Sequence, residues 1–147
     1  MRILVDADAC PVVDIILQQA AGCGVEVVLL CDTSHEMHRE GARTVVVEKG
    51  ADSVDFRLVN MTEAGDLVVT QDYGLAAMCL AKGSRVLRQD GVEYTADNID
   101  GLLHSRYIGK KIRRAGGRTK GPAPRTAQQD TQFAKALLKL LQEIMQS

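Results

Sequence analysis

Five short apolar runs alternate with longer segments of helical character along the first two thirds of the chain. The runs cover residues 3–5, 25–31, 44–47, 67–70 and 85–87, and their length and content of β-branched residues are typical of buried strands. Strands that alternate with helices form a parallel sheet covered on both faces. The sequence therefore predicts one α/β domain over residues 1–147, with three layers and a mostly parallel central sheet.

Proline and glycine residues predict where the first helices begin and end. Pro11 is expected at the first position of a helix, since its fixed φ suits that position and its missing N–H costs nothing there. Gly22 and Gly24 are expected to end this helix. A second helix is predicted to begin at Asp52, its candidate N-cap, and to end at Gly65.

An amphipathic helix is predicted over residues 127–146, and we expect it to pack back on the domain. Thr126 and Gln129 have the spacing of a capping box, which favours a helix start at this point. The apolar residues recur at helical spacing on one face. They are Phe133, Leu137, Leu140, Leu141 and Ile144.

Composition narrows the class of protein before any motif is considered. The chain has 147 residues, of which 46% are hydrophobic, with no Trp and two Phe, so its core is expected to be aliphatic. The four cysteines lack metal-site spacing and are interpreted as reduced thiols. We find no secretory signal and no apolar run of membrane-spanning length, and we therefore expect a cytoplasmic protein without a membrane partner.

Positive charge is concentrated in one short segment of an otherwise acidic chain. Residues 1–105 hold 8 Lys and Arg against 17 Asp and Glu, whereas residues 106–125 hold 8 Lys and Arg and no acid. Glycine and proline interrupt a basic loop over residues 110–125. This asymmetry predicts an anionic partner, RNA or another phosphate-bearing molecule. The expected phosphate contacts are Arg113, Arg114, Arg118 and Lys120.

Carboxylates follow two of the predicted strands and open the helix between them. Asp6 and Asp8 follow the first strand, Asp72 follows the fourth, and Asp52 and Asp55 lie at the start of the second helix. The carboxyl ends of parallel strands share one sheet edge, where ligands bind in open α/β folds. Crowded carboxylates favour a hard cation such as Mg²⁺, which can polarise a phosphate and activate water.

These acids have two interpretations that the residues alone leave open. The predicted metal ligands are Asp6, Asp72 and either Asp52 or Asp55, with Asp8 on the metal or beside one of its ligands. The alternative is that each acid only caps the helix or loop that follows it. The repetition of acids at equivalent strand ends favours the metal site.

Three stretches resemble the YaiI/YqxD family of uncharacterised bacterial proteins, and the likeness covers essentially the whole chain. They are Asp-Ala-Asp-Ala-Cys-Pro-Val at 6–12, Val-Thr-Gln-Asp-Tyr-Gly-Leu-Ala at 69–76 and Gly-Gly-Arg-Thr-Lys-Gly-Pro at 116–122. This resemblance implies a family and no activity.

A wider resemblance, to the PIN and NYN nuclease domains, implies an activity. The order of a strand-end Asp, Lys-Gly-Ala-Asp-x-x-Asp at 49–55 and Val-Val-Thr-Gln-Asp at 68–72 is similar to theirs. In those families, acids at matching places hold Mg²⁺ or Mn²⁺ for RNA cleavage. The resemblance implies a PIN-like fold in which Asp6, Asp72 and either Asp52 or Asp55 match the metal-holding acids. The predicted catalytic residues are Asp6, Asp8, Asp55 and Asp72. The further acid usual after the last of these is replaced by Tyr73-Gly74.

Three functions are therefore compared. The leading hypothesis is a divalent-metal-dependent endoribonuclease-like hydrolase that acts on or binds RNA. The second is a phosphatase, because Asp6-x-Asp8 also resembles the haloacid-dehalogenase family, in which the first Asp is the nucleophile and the second a general acid. Thr70, at the end of a later strand, agrees with the pattern of that family. Position 10 does not agree, because this chain has Cys10 where the family usually has Thr or Val. The third is a non-catalytic RNA-binding module of the same fold.

Overall fold

The chain folds into one α/β domain, with a six-stranded sheet between layers of helices. A computed structural model of the chain describes residues 1–50, 52–101 and 124–146. The strands are β1 (Arg2–Asp6), β2 (Glu26–Asp32), β3 (Arg43–Val47), β4 (Leu67–Val69), β5 (Arg85–Leu87) and β6 (Glu93–Tyr94). The helices are α1 (Val13–Cys23), α2 (Ser53–Met61), α3 (Tyr73–Ala81), α4 (described over 96–101) and α5 (Ala127–Gln146).

The sheet is parallel except at one edge. Its strand order is β3-β2-β1-β4-β5-β6, and only the pairing of β5 with β6 is antiparallel among the described strands. β1 lies in the middle, with Val5 opposite Leu29 of β2 on one side and Val69 of β4 on the other. The strand order reverses at β1, which makes the β1–β4 boundary the switch point of the sheet. The predicted fold class is confirmed.

Alternate side chains of the central strands enter two separate apolar layers. Ile3 and Val5 of β1 pack under α1 and α5, whereas Leu4 packs under α2 and α3. All three side chains are fully buried. A sheet covered on both faces explains why its strands are continuous apolar runs instead of alternating ones.

The predicted helix start at Pro11 is wrong. α1 begins at Val13, and Pro11 lies in the turn before it. The chain reverses first, because Ala9 adopts a left-handed φ of 53° and Cys10 N–H donates to the Ala7 carbonyl. This turn delays the helix by two residues. The predicted stop at Gly24 is confirmed, since it is the left-handed C-cap of α1.

The predicted end of the second helix at Gly65 is also wrong. α2 ends at Met61, because Thr62 is extended. The Thr62 hydroxyl donates to the Leu58 carbonyl at 2.7 Å, and its backbone N–H bonds to the same residue. Thr62 thereby satisfies the last turn of α2 before Gly65 is reached.

The C-terminal helix agrees with its prediction. Thr126 N–H donates to Gln129 Oε1 at 2.9 Å, and Gln129 N–H donates to Thr126 Oγ1 at 3.3 Å, which forms the predicted capping box. Four residues of the apolar stripe are buried against the sheet, namely Phe133, Leu137, Leu140 and Leu141. Arg85 of β5 forms a bidentate ion pair with Glu93 of β6 and a second ion pair with Glu143 of α5. These contacts join the sheet edge to α5.

Part of the predicted architecture lies outside the described residues. The helical pattern beyond residue 101 and the basic loop 110–125, apart from its last two residues, are not covered, so these predictions stay predictions. Among the described helices, none combines the length and the apolar character needed to cross a bilayer.

Gly91, in the turn between β5 and β6, lies too close to α5 to accept a side chain. Its φ is +92°, and a Cβ there would lie 2.8 Å from the backbone oxygen of Gln132 on α5. We expect Gly91→Ala to lower the free energy of unfolding by about 1–3 kcal/mol, measured by urea denaturation. Gly22→Ala is the control, because no atom lies within 4 Å of the added Cβ, and it should stabilise α1 by up to about 1 kcal/mol. Equal effects of the two substitutions would contradict this assignment.

Candidate functional site

Two neighbouring strand ends are joined by a side-chain hydrogen bond. Asp6 is the last residue of β1, and Thr70 follows directly after β4. Thr70 Oγ1 donates to Asp6 Oδ2 at 3.0 Å and accepts from Asp72 N–H, also at 3.0 Å. Because the hydroxyl accepts from a backbone N–H, its own proton is directed at the carboxylate. The switch point of the sheet therefore holds Asp6 in a fixed orientation.

Asp72 caps a helix and also acts on Asp6. Its Oδ1 accepts from Leu75 N–H at 3.0 Å, so Asp72 is the N-cap of α3, as the alternative interpretation expects. Its negative charge is at the same time one of the causes that raise the pKa of Asp6. Asp72 therefore caps α3 and also belongs to the cluster of acids around Asp6.

The predicted acids border two adjoining cavities at the carboxyl edge of the sheet. The first, which we call the acidic cavity, has a volume of about 210 Å³. Five carboxylates line it, and its described lining includes neither Lys nor Arg: they are Asp6, Asp8, Asp32, Asp52 and Asp55. The second cavity, of about 250 Å³, shares Asp52 and Asp55 and adds Asp72. The structure therefore brings every predicted carboxylate to one edge. Asp52 and Asp55 line both cavities, so the cavities do not decide which of the two is the predicted metal ligand.

Burial and neighbouring charges together disfavour the ionised form of Asp6. Burial raises the pKa of the Asp6 carboxyl, the hydrogen bond from Thr70 lowers it, and the charges of Asp72 and Asp8 raise it further. The net effect is a pKa above the ordinary value of 3.8. An ionised Asp6 is thus destabilised by its surroundings, which is the condition that a bound cation relieves.

Backbone strain accompanies the acids. Asp52 occupies the N-cap position of α2 but adopts a left-handed φ of 59° and makes no side-chain cap hydrogen bond. The predicted position is confirmed and the expected capping bond is absent at this residue. Ala9, next to Asp8, is the other described non-glycine residue with positive φ. Conformations of this kind cost about 1–3 kcal/mol and cluster at functional sites.

Asp32 and His35 also belong to the acidic edge, although neither was predicted as a site residue. Asp32 is the last residue of β2 and lines the acidic cavity. His35 Nδ1 lies 3.3 Å from Asp32 Oδ1 and 3.7 Å from Asp8 Oδ1. Burial alone would raise the pKa of Asp32, but hydrogen bonds from Ser34 N–H and His35 outweigh it and lower the pKa. The strand-then-Asp pattern that marked Asp6 would also have marked Asp32.

Cys10 does not supply a nucleophile at this edge. Its side chain is buried, and burial raises the pKa of the thiol to about 11. The thiol therefore stays protonated at neutral pH, and the site has no thiolate to offer from this position.

The metal ligands and the phosphate contacts remain predictions. Among the described residues, no three Asp, Glu, His or Cys side chains stand close enough together to hold a metal ion. The predicted phosphate contacts lie outside the described residues: Arg113, Arg114, Arg118 and Lys120. Arg125, at the described end of the basic loop, donates to Asp130 Oδ1 and to the Gln89 carbonyl, both at 2.8 Å.

The fold and this edge define a doubly wound α/β domain with an acidic crevice at its switch point. The chain belongs to the family described as "Uncharacterized BCR, YaiI/YqxD family", whose model matches residues 4–143. The UPF0178 protein of Exiguobacterium sibiricum is 51% identical over 143 residues, which cover 97% of this chain and 98% of the relative. That of Ruminiclostridium cellulolyticum is 54% identical over 138 residues, 94% of this chain and 90% of the relative. No solved structure was found to match the chain significantly.

Removing the charge of Asp6 should stabilise the protein. Because the folded-state pKa lies above 3.8, the folded chain binds the proton more tightly than the unfolded chain. Ionisation of Asp6 therefore costs stability as the pH rises through the folded pKa. We expect Asp6→Asn to raise the melting temperature at neutral pH without metal, and this gain to vanish as the pH falls towards 3.8.

Asp66→Asn is the control for this measurement. Asp66 is also buried, but it accepts hydrogen bonds from the backbone N–H groups of Arg2 and Glu63 and pairs with the Arg2 side chain. Its substitution should lower the free energy of unfolding by about 1–3 kcal/mol. A lower melting temperature for Asp6→Asn as well would mean that Asp6 is a structural residue.

Proposed function

We propose that the protein is a divalent-metal-dependent, ribonuclease-like hydrolase that acts on or binds RNA. The observation that carries this proposal is the acidic cavity, lined by five carboxylates and, in its described part, by no cationic side chain. Carboxylates gathered around one cavity repel one another, and hard divalent cations are their usual partners in proteins.

The predicted ligands are oxygen atoms of carboxylates, which are the ligands that Mg²⁺ and Mn²⁺ prefer. Every predicted ligand is a carboxylate, and Asp6 is both oriented by Thr70 and destabilised as an anion. Asp6, Asp72 and one of Asp52 or Asp55 would hold the ion, with the side chains of the α2 residues turning towards the strand ends. When bound, such an ion polarises a phosphate and lowers the pKa of water.

The chain's own side chains have separate roles in this proposal. Thr70 keeps Asp6 facing the site, and Asp72 fixes the start of α3 at the same edge. Asp8 is about half exposed and lies beside His35, so it can accept a proton from an attacking water. The phosphate backbone of the RNA would be bound by the basic segment 106–125.

The site supports a phosphodiesterase better than a phosphatase of the haloacid-dehalogenase type. In such a phosphatase Asp6 attacks phosphorus, and a neighbouring cation must neutralise the phosphorylated aspartate. The described lining of the acidic cavity includes no lysine or arginine for this purpose. Asp6 Oδ2 is also engaged by the Thr70 hydroxyl.

Metal binding tests the proposal at the acidic edge. Calorimetry with Mn²⁺ should show binding that Asp6→Asn and Asp72→Asn each weaken by about tenfold or more, since each removes a charged ligand. Asn caps a helix as well as Asp, so Asp72→Asn should leave α3 intact. Glu26→Gln, at the opposite end of β2, is the control and should bind Mn²⁺ normally. Unchanged binding in both Asp variants would remove the proposed site.

Activity assays on the same variants separate the three functions. We expect Mn²⁺-dependent cleavage of single-stranded RNA, little phosphomonoesterase activity and a larger loss from Asp72→Asn than from Asp8→Asn. Rapid phosphomonoester hydrolysis with a trapped phosphate on Asp6 would instead identify a phosphatase. RNA binding without either activity would identify a non-catalytic module.

RNA binding through the basic segment should depend steeply on salt. Each phosphate contact to a single strand contributes a slope of about −0.7 to the plot of log affinity against log salt. Joint replacement of Arg113, Arg114, Arg118 and Lys120 by Ala should therefore flatten the slope. The control removes four cations elsewhere and should leave the slope unchanged: Arg39, Arg57, Lys135 and Lys139. An unaltered slope in the first variant would place the RNA contacts outside this segment.

A further inference from the structure

The second cavity at the acidic edge has an apolar lining that the proposed function does not use. This cavity lies between α2 and α3, and we call it the interhelical cavity; its volume is about 250 Å³. Its apolar lining comes from both helices and consists of Phe56 of α2 and Gly74, Leu75 and Met78 of α3. The volume lies below the range of about 300–1,000 Å³ that is usual for drug-sized ligands. The cavity therefore suits a single ring system.

Phe56 is exposed, in contrast to other aromatic residues of the described chain. It is 61% exposed, whereas Phe133 and Tyr94 are fully buried. Met78, on α3, is 41% exposed. Because Phe56 and Met78 both line the interhelical cavity, their accessible surfaces border the space that a ligand would fill.

The interhelical cavity adjoins the acidic cavity through shared residues. Asp52 and Asp55 line both cavities, and Asp72, at the start of α3, lines the interhelical one. Phe56 follows Asp55 directly in α2. A phosphodiester held at the proposed metal ligands would therefore bring the base of an adjoining nucleotide within reach of Phe56.

The chemistry of the lining favours a neutral, flat occupant. The described lining includes three carboxylates and neither lysine nor arginine, so a phosphate group in this cavity would be repelled. Aromatic and thioether side chains, in contrast, pack favourably against ring faces. Two exposed apolar side chains also offer much less area than the roughly 1,200–2,000 Å² that stable protein interfaces bury, which disfavours a protein partner or a second copy.

We propose that Phe56 and Met78 stack on one unpaired base of the RNA, next to the phosphodiester at the acidic cavity; this inference rests on the proposed function. Every base has a π-face, so stacking of this kind is tolerant of sequence. A base inside a duplex is stacked on both sides and cannot turn its face to a side chain, whereas unpaired bases can. The interhelical cavity therefore selects unpaired nucleotides, in single strands or in loops and ends.

Phe56→Trp tests the stacking contact by fluorescence. The chain has no Trp, so the variant has one indole, which can stack on a base as the Phe ring does. The full chain is titrated with a single-stranded oligoribonucleotide in Ca²⁺, which carboxylates also bind. We expect the single strand to quench the fluorescence and a duplex of the same sequence not to quench it. Leu138→Trp is the matched control and should not be quenched, because Leu138 is 44% exposed on α5 and lines neither cavity.

Binding affinity gives a second measurement that uses no added fluorophore. Phe56→Ala removes the ring, and we expect it to weaken binding of the single strand about tenfold, as for the loss of one base–aromatic stack. Phe56→Trp should keep the affinity, and Leu138→Ala should bind normally. Because Phe56 is exposed, Phe56→Ala should not lower the melting temperature.

Five results would overturn this inference. They are no quenching of Phe56→Trp by the single strand, equal quenching by single strand and duplex, unchanged RNA affinity of Phe56→Ala, a joint loss of affinity and melting temperature in that variant, and a fluorescence change of Phe56→Trp with protein concentration in the absence of RNA. The last would place a second copy of the chain on the cavity. Failure of the proposed function looks different: the single strand would still quench Phe56→Trp while Mn²⁺ binding and RNA cleavage are absent.

Discussion

The hydrogen bond from Thr70 to Asp6 joins the two central parallel strands at the point where the strand order reverses. Parallel pairing with Val5 opposite Val69 leaves no other place for the residues that follow, so the end of β4 must lie beside the end of β1. Asp72 then begins α3 within the electrostatic reach of Asp6. The acidic edge is therefore a consequence of sheet register, and the two cavities beside it inherit their positions from the same strands.

This edge is costly to the fold, and the cost is distributed over several residues. Burial and neighbouring carboxylates raise the pKa of Asp6, and both Asp52 and Ala9 adopt left-handed backbone conformations. The buried carboxylate of Asp66, in contrast, is satisfied, because it accepts from two backbone N–H groups. Backbone strain beside a disfavoured carboxylate is expected where a protein binds or reacts, since folding alone does not select it.

The elements that depend on periodicity could be predicted from the sequence, and those that depend on local turns could not. The apolar runs and the stripe of α5 identified the sheet and its covering helix, because burial dictates those patterns. The start of α1 was predicted wrongly at Pro11, because the sequence has no glycine at Ala9 to indicate the left-handed turn there. Asp6 and Asp72 were found through their strand ends, whereas Asp32 was missed although it follows the apolar run at 25–31 in the same way. The packing of the β5–β6 turn against the start of α5 depends on contacts between distant segments, as between Arg125 and Gln89, and local patterns do not reveal these.

The central claim is that the strand-end carboxylates form a divalent-metal site, and anomalous diffraction from crystals soaked in Mn²⁺ tests it most directly. The account predicts an anomalous peak within ligand distance of Asp6 and Asp72, with a carboxylate of Asp52 or Asp55 turned towards it and a bond length of about 2.0–2.2 Å. Crystals of Asp6→Asn should lose that peak. A fully occupied Mn²⁺ elsewhere on the protein, or no peak at the acidic edge in well-ordered crystals at millimolar Mn²⁺, would contradict the account.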